Sequence, residues 1–269
     1  MTAWHVVIPV KSLTGAKTRL APELDPGQRA ALARAFALDT IDAARAARTV
    51  RRVYVVTDEH AIETALRTLP DVDVVPESGP RGLAAAIEHG IRTARTADPV
   101  STVVAGAGAA TPATTVHTEV GTAVLLGDLP AMRGEDLDTA LEVAARHPLG
   151  FVADAEGTGT TLATAAPGTG FAAHFGADSA ARHRAAGFAD LLALHPDAIR
   201  PGMRRDVDTV AELRDAVALG VGPRTTIAVR SIVDRSVVDR SGTRHPSDPS
   251  TAPQGAATAP DGADRKAAS

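Results

Sequence analysis

The sequence predicts an α/β protein with a single, mostly parallel sheet that is covered by helices on both faces. Short apolar runs typical of buried strands alternate with longer segments in which apolar residues recur every three or four positions, as in amphipathic helices. The chain has 269 residues, of which 44% are hydrophobic, so it can bury the core of one large domain. Because ligands bind at the carboxyl ends of strands in such sheets, candidate functional residues should follow the predicted strands.

Each predicted element has a local signal in the sequence. The first strand is the apolar run 4–10, and the next helix starts at Asp25 and Pro26, because Asp is a favoured N-cap residue and Pro is favoured in the first helical position. Residues 82–91 carry apolar side chains at spacings of four, which indicates a helix. The other predicted strands are 52–57, 72–75, 122–127 and 150–154. The other predicted helices are 26–47, a stretch from residue 58, 134–146, 177–188 and 209–219.

Two segments do not follow this alternation. Residues 96–121 are rich in Ala, Thr, Val and Gly and nearly uncharged, which indicates an inserted loop that could include a strand. Residues 228–269 end in a mixture of Ser, Pro, Ala and Gly that cannot bury enough apolar area to offset its ordering entropy. We therefore expect one domain over residues 1–227, which contains the insertion, and a disordered tail over residues 228–269.

The composition excludes several classes of protein. The absence of cysteine rules out disulfides, thiolate nucleophiles and cysteine-ligated metals. A net charge of −4 without a long basic stripe argues against nucleic-acid binding. No apolar run reaches the roughly 18 residues of a membrane span, and the N-terminus lacks the charged start of a signal peptide. We expect a cytoplasmic protein that binds small molecules, neither nucleic acid nor membrane.

The loop after the first predicted strand carries a notable group of cations. Only three of the 28 basic residues are lysines, and two of them, Lys11 and Lys17, lie in this loop together with Arg19. Ammonium and guanidinium groups beside backbone N–H donors can wrap a phosphate chain. The loop is not a P-loop, because Ala16 separates Gly15 from Lys17. A phosphate-binding loop and a solvated basic loop both fit these residues.

Three aspartates are candidate magnesium ligands. Asp128 directly follows the predicted strand 122–127, where a carboxylate can hold Mg²⁺ together with waters and substrate phosphates. Asp206 and Asp208 would point to the same side of an extended chain and follow two arginines, which suits a metal or a charged substrate. The alternatives are a turn or a helix cap at Asp128, and an N-cap at Asp208 or Thr209 for the helix 209–219.

A glycine- and threonine-rich stretch and a later helix start form the last candidate. Thr161 ends the stretch 154–161, in which two glycines would let the backbone approach a ligand closely. Gly176 and Ser179 lie at the start of the predicted helix 177–188, where unpaired N–H groups attract an anion. The alternative is a helix cap and a loop without a further role.

Together these motifs resemble the guanylyltransferase family that makes the phospho-linked precursor of coenzyme F(420), a deazaflavin cofactor. Members of that family use phosphoenolpyruvate or 2-phospho-L-lactate as the acceptor. The resemblance spans residues 4–226, and it implies a single nucleotide-diphospho-sugar-transferase-like domain of Rossmann-like α/β type. The matching stretches are 4–13, 16–21, 37–40, 55–58, 82–83, 125–131, 154–162, 175–183 and 205–209.

The resemblance also implies an activity and roles for the candidate residues. The activity is transfer of GMP from GTP to phosphoenolpyruvate, which releases pyrophosphate and forms enolpyruvoyl-2-diphospho-5'-guanosine. The implied nucleotide-binding residues are Lys11, Lys17, Arg19 and Gly82. The implied Mg²⁺ ligands are Asp128 with Asp206 or Asp208, and the implied phosphoenolpyruvate-binding residues are Thr161, Gly176 and Ser179. A homodimer is a further expectation.

The chain departs from the family pattern at one informative position. After Gly82 and Leu83 the family usually has Asn, whereas this chain has Ala84, so recognition of the base could differ. The insertion 96–121 could also reshape the nucleotide side. Alternative functions are therefore a transferase that uses 2-phospho-L-lactate or another acceptor, and a degenerate nucleotide-binding regulatory protein. The retained aspartates argue against the regulatory alternative.

Overall fold

The computed structural model describes residues 1–13, 15, 17–78, 82–97, 101–104, 114–117 and 120–242. Residues 1–232 form one compact unit. Within the part of the chain that the structure describes, every helix is too short or too polar to span a lipid bilayer.

The central sheet has seven strands, four of whose six neighbouring pairs are parallel, so the predicted fold class is confirmed. The strands are β1 (Ala3–Pro9), β2 (Val50–Val56), β3 (Val72–Val75), β4 (Ser101–Val104), β5 (Thr114–His117), β6 (Val120–Leu125), β7 (Leu149–Ala153), β8 (Thr160–Ala165) and β9 (Ala189–Asp190). The order in the sheet is β3-β2-β1-β6-β8-β7-β9, and β8 runs antiparallel to both of its neighbours. The sequence did not predict β8, because two glycines directly before it made the stretch read as a loop.

Eight helices flank the sheet or follow it in the described part of the chain. They are α1 (Pro26–Ala46), α2 (His60–Leu66), α3 (Leu83–Thr96), α4 (Gly134–Ala144), α5 (Ser179–Ala185), α6 (Leu191–Leu194), α7 (Val210–Leu219) and α8 (Pro223–Gly242). The side chain of Asp25 caps α1 by accepting a hydrogen bond from the N–H of Gln28, as predicted. Thr209 caps α7 in the same way by accepting from the N–H of Glu212, so Thr209 and not Asp208 is the N-cap of this helix.

The two faces of the sheet are buried in separate clusters, as a sheet between two helix layers requires. On β1, Val6 and Ile8 pack in the cluster that includes Ile41 of α1, whereas Val7 packs on the other face with Ile87 of α3. Because both faces of this strand are buried, the run 4–10 is apolar on both faces, apart from His5, instead of at every second residue.

The inserted segment contains two strands, and the predicted tail begins with a helix. β4 and β5 pair antiparallel within residues 96–121, α3 extends to Thr96, and β6 begins at Val120; residues 98–100, 105–113 and 118–119 lie outside the described residues. The predicted boundary at residue 228 falls inside α8, which corrects the start of the tail. Val229 and Ile232 of α8 pack against a buried cluster, so the apolar residues there are stabilised by tertiary contacts that a composition argument cannot detect. The tail beyond residue 242 lies outside the described residues.

The first turn of α8 is attached to α1 by a buried carboxylate. Asp39 accepts hydrogen bonds from the N–H groups of Arg224 (3.1 Å) and Thr225 (2.8 Å), and its side chain is 2% exposed. We expect Asp39→Ala to lower the free energy of unfolding by about 2 kcal/mol, because two helix N–H groups lose their partner. Denaturant unfolding would measure this. Asp42→Ala, one turn away on the exposed side of α1, is the control, and an equal loss there would contradict the capping role.

Candidate functional site

A cavity of about 480 Å³ lies at the carboxyl ends of β1 and β6, where the sequence predicted the site. The loop after β1 lines it with Lys11 and Lys17, the loop after β6 with Asp128, and the segment before α7 with Asp208. Four of the residues singled out from the sequence therefore face one cavity, although they come from three distant parts of the chain.

A buried hydrophobic cluster holds these three segments together. Leu20, Ala131 and Val207 are each at most 4% exposed and pack in one cluster with Leu32 and Phe36 of α1. Leu20 follows the lysine loop, Ala131 follows Asp128, and Val207 separates Asp206 from Asp208. Burial of these apolar neighbours brings the polar residues beside them to the same edge of the sheet.

The ammonium group of Lys17 bridges two of the aspartates. Its Nζ donates to Asp128 Oδ2 at 2.7 Å and to Asp208 Oδ1 at 2.8 Å, and the Lys17 side chain is only 10% exposed. Burial alone would lower the pKa of Lys17, but the charges of Asp128 and Asp208 outweigh it and raise this pKa above its ordinary value. Lys17 has a φ of 56°, a left-handed conformation that is uncommon for a non-glycine residue. The ammonium is thus a cation fixed between two carboxylates.

The loop that carries Asp128 is fixed by its neighbours on both sides. The N–H of Leu129 donates to Oγ1 of the buried Thr40 on α1 at 3.1 Å, and the carbonyl of Pro130 accepts from Gly222 N–H at 2.9 Å. A Cβ at Gly202 would lie 2.4 Å from the Ala131 carbonyl oxygen, so only glycine permits this approach. The Asp128 carboxylate is therefore presented to the cavity by a rigid support.

A second group of carboxylates lies beside the first. Ligand oxygens of Asp154, Glu156 and Asp206 all lie within 4.8 Å of one another. Burial, together with the charges of Asp128, Asp154 and Asp208, raises the pKa of Asp206 to about 7. Asp154 and Glu156 were not predicted as ligands, although Asp154 follows strand β7 just as Asp128 follows β6.

Backbone and arginine contacts determine where this second group lies. Asp154 accepts from the N–H groups of Thr158 (2.9 Å) and Gly159 (2.7 Å), and Glu156 pairs with Arg205 at 2.7 Å. Arg204 donates to the carbonyl groups of residues 153 to 155, which connects the segment before Asp206 to the loop after β7.

The donor set at this edge fits a hard divalent cation. Carboxylate oxygens are the preferred ligands of such ions, and five acidic side chains, Asp128, Asp154, Glu156, Asp206 and Asp208, converge here. Oδ1 of Asp128 is buried and accepts no hydrogen bond from any described residue, which leaves this oxygen available as a ligand for a cation. The ammonium of Lys17 already shows that a positive charge is accommodated between Asp128 and Asp208.

A second cavity of about 470 Å³ is lined by Gly82, another of the predicted nucleotide-binding residues. Lys11 lines both cavities, and Gly82, which has a φ of 138°, lines the second together with Asp58, Glu59 and Glu77. Arg19 lies farther out, since its side chain is 72% exposed and its Nη1 is 4.0 Å from Asp208 Oδ2. The structure thus brings Lys11 near Gly82 but leaves Arg19 at the rim of the acidic group.

The three remaining predicted residues lie on β8 and at the start of α5. Thr161 is fully buried, and its carbonyl accepts from the N–H of Leu126, two residues before Asp128. Gly176 has a φ of 112°, which favours glycine, and Ser179 is the first residue of α5 and 1% exposed. The N–H of Ala180 donates to the carbonyl of Thr158, which joins the start of α5 to the loop before β8.

Comparison with solved structures places the fold in a known class. A crystal structure from Desulfovibrio desulfuricans G20, assigned as a nucleotide-diphospho-sugar transferase, aligns with a TM-score of 0.51 at 18% identity over 81% of this chain and 97% of that chain. At this identity the likeness concerns the fold alone. The chain therefore has the α/β fold of that class, with an acidic site at the carboxyl edge of the sheet.

Sequence comparison identifies the family. Residues 4–107 match the family described as Guanylyl transferase CofC like. A phosphoenolpyruvate guanylyltransferase from Streptomyces coelicolor is 43% identical over 231 residues, which is 86% of this chain and 98% of that protein. Another from Thermomonospora curvata is 43% identical over 222 residues, covering 82% of this chain and 86% of that protein. The chain belongs to this guanylyl transferase family.

Proposed function

We propose that this protein transfers GMP from GTP to phosphoenolpyruvate and releases pyrophosphate, a step in the biosynthesis of coenzyme F(420). The observation that carries the proposal is the buried ammonium of Lys17 between Asp128 and Asp208 in the 480 Å³ cavity, because it places a cation suited to phosphate and two carboxylates suited to Mg²⁺ at one site. The two relatives described above, both phosphoenolpyruvate guanylyltransferases by name, support the same reaction.

In this reaction a phosphate oxygen of the acceptor attacks the α-phosphorus of GTP. The new P–O bond forms as the bond from the α-phosphorus to the bridging oxygen breaks, and that oxygen leaves with pyrophosphate. Such a transfer needs alignment of two anions and neutralisation of their charge more than a dedicated acid or base. Lys17 and Lys11 would supply positive charge to the phosphates, and Arg19 would act from the rim.

Magnesium is the proposed cofactor, held by Asp128, Asp206 and Asp208. When bound, it would supply Lewis-acid stabilisation of the charge on the phosphates. Asp154 and Glu156 lie close enough to Asp206 to contribute to the same group of ligands. With these carboxylates engaged as ligands, the ammonium of Lys17 would lie beside the site as a cation for phosphate oxygens.

For phosphoenolpyruvate we propose contacts with Thr161, Gly176 and Ser179, and for the nucleotide a contact at Gly82. The cytoplasmic location and the homodimer stay predictions. Lys11 lines both cavities, so the second cavity, which is also lined by Asp58, Glu59 and Glu77, adjoins the proposed phosphate-binding residues. The second cavity would hold the rest of the nucleotide.

Replacing Lys17 by Arg should be costly even though the charge is kept. A planar guanidinium is larger than an ammonium and cannot occupy the 2.7 and 2.8 Å contacts of a nearly buried side chain. We expect kcat/KM to fall about 100-fold, a loss of the size seen when one preorganised charge is displaced. Lys266→Arg, the same change at the third lysine of the chain, is the matched control. A fully active Lys17→Arg protein would show that the ammonium of Lys17 has no specific part in catalysis.

The assay that tests the function is pyrophosphate release from purified protein with GTP, Mg²⁺ and each acceptor in turn. Release with phosphoenolpyruvate, loss of release with a chelator, and recovery on adding Mg²⁺ are the expected results. Faster release with 2-phospho-L-lactate would make that compound the acceptor instead of phosphoenolpyruvate. Faster release with ATP or CTP would make that nucleotide the donor instead of GTP. Binding of GTP without turnover on any acceptor would favour the regulatory alternative.

A further inference from the structure

The side chain of His183 is a buried group that the proposed reaction does not use directly. It lies on α5, is 0% exposed, and is surrounded by the rings of three phenylalanines. The centroid of its ring lies 4.8 Å from that of Phe188, 5.4 Å from that of Phe175 and 5.6 Å from that of Phe151. A polar ring in such surroundings is costly unless both nitrogens are hydrogen-bonded.

Both nitrogens of His183 have partners, and the partners come from different segments. Nδ1 lies 3.0 Å from Oγ1 of Thr160, on β8 beside Thr161. Nε2 accepts a hydrogen bond from the backbone N–H of His174 at 3.0 Å, in the segment 166–178 that leads to Gly176. One ring therefore connects the strand, the segment and the helix that carry the three proposed acceptor-binding residues.

The protonation state follows from these contacts. Because Nε2 accepts from a backbone N–H, the ring proton lies on Nδ1, and a second proton would face that same N–H. Burial, and after it the charges of His174 and Arg182, lowers the pKa of His183 to about 4, although the backbone of Ser179 favours the protonated form. At neutral pH His183 is therefore an uncharged ring with no exposed nitrogen, which excludes it as an acid, a base or a cation for the substrate.

A neighbouring arginine fixes the same turn from the other side. Nη2 of Arg182 donates to the carbonyl of Phe175 at 2.8 Å, and a Cβ at Gly176 would lie 3.2 Å from that nitrogen. Phe175, directly before Gly176, thus has a defined contact, while Gly176 itself makes room for the guanidinium. Without the bond from His174 to His183, the segment just before Phe175 would lose the contact that joins it to α5 and, through the ring, to Thr160 at the start of β8.

We propose that His183 is a positioning residue for the acceptor: its Nε2 holds the segment 166–178 so that Gly176 and Ser179 take their places relative to Thr161. This inference rests on the proposed function, because it takes the acceptor to be bound by these three residues. It makes one nitrogen of the ring, Nε2, more important for the acceptor than the other.

Two substitutions separate the two nitrogens. The amide of Gln can place its oxygen near the position of Nε2, whereas the shorter amide of Asn reaches only the region of Nδ1. We expect His183→Gln to keep the KM for phosphoenolpyruvate within about threefold of wild type and His183→Asn to raise it about tenfold or more, because the buried N–H of His174 then loses its acceptor. The KM for GTP should stay within about twofold in both variants, since the nucleotide groups lie elsewhere.

The control is the same truncation at a second buried histidine. His5 on β1 is 3% exposed and its Nδ1 lies 2.9 Å from the carbonyl oxygen of Ala94, so His5→Asn also removes a buried ring. We expect His5→Asn to lower the melting temperature without raising the KM for phosphoenolpyruvate selectively. Equal effects of His183→Asn and His5→Asn on this KM, or an unchanged KM in His183→Asn, would overturn the inference.

Hydrogen exchange of the ligand-free protein makes the result independent of turnover. The amide of His174 should exchange faster in His183→Asn than in wild type and stay protected in His183→Gln. Unchanged exchange in His183→Asn would overturn the inference whatever the kinetics. If wild type released no pyrophosphate with either acceptor, the proposed function would fail, whereas faster exchange in His183→Asn alone would still support the positioning of the segment.

Discussion

Asp128→Asn is expected to lower kcat by at least about a thousandfold, the size of effect that follows when a central charge of a preorganised site is removed. Asn keeps the shape of the side chain but cannot carry the negative charge that Asp128 offers to a cation. The melting temperature of the ligand-free protein should change little, because Lys17 keeps its 2.8 Å contact with Asp208 and the loop keeps its bond to Thr40.

Pyrophosphate release and thermal unfolding without ligand would test both parts of this prediction. Asp73→Asn is the control: Asp73 lies on β3, its side chain is 44% exposed, and it pairs with Arg52 at 3.1 Å, so its loss should leave turnover intact. Activity close to wild type in Asp128→Asn would remove Asp128 from the metal site. A large fall in melting temperature would instead assign it a structural role.

Asp206→Asn is expected to abolish turnover and, in the absence of divalent cations, to stabilise the protein above pH 7. The pKa of Asp206 is about 7 in the folded protein, against 3.8 for an ordinary Asp, because of burial and then the charges of Asp128, Asp154 and Asp208. A carboxyl whose pKa is raised by folding contributes stability that is fully present below pH 3.8 and is lost as the pH rises through 7. The free energy of unfolding of Asp206→Asn should exceed that of wild type by about 2 to 4 kcal/mol above pH 7, after allowance for the partial exposure of the side chain.

Unfolding with a chelator at several pH values between 4 and 8 would measure this gain as the difference between the variant and wild type. The difference should grow with pH and shrink when Mg²⁺ is added, since a bound cation should stabilise wild type, which retains the Asp206 carboxylate, more than the variant. Asp73→Asn again serves as the control, and its difference from wild type in the free energy of unfolding should not increase with pH. A pH-independent difference would mean that Asp206 is not strained by its acidic neighbours in the folded protein.

Sequence reasoning predicted the candidate site better than the arrangement within it. Lys11, Lys17, Asp128 and Asp208 line one cavity, as expected of residues that follow the strands of a parallel sheet. The bridge made by Lys17 was not expected, because Asp128 and Asp208 lie 111 and 191 residues further along the chain. The acidic group that joins Asp206 to the loop after β7 was missed for the same reason.

The sequence by itself determined what depends on near neighbours. The N-cap at Asp25, the alternation of strands and helices, and the apolar run of β1 all follow from residues a few positions apart, whose effects on the backbone are local.

Only the tertiary structure decided which distant residues meet. It added β8 to the sheet between β6 and β7, and it continued the chain past residue 228 as α8. The packing of Leu20, Ala131 and Val207 in one cluster brought the polar residues beside them together. Apolar side chains that are distant in sequence pack in one cluster because the whole chain excludes water as it folds. A local sequence pattern therefore cannot predict which of them will meet.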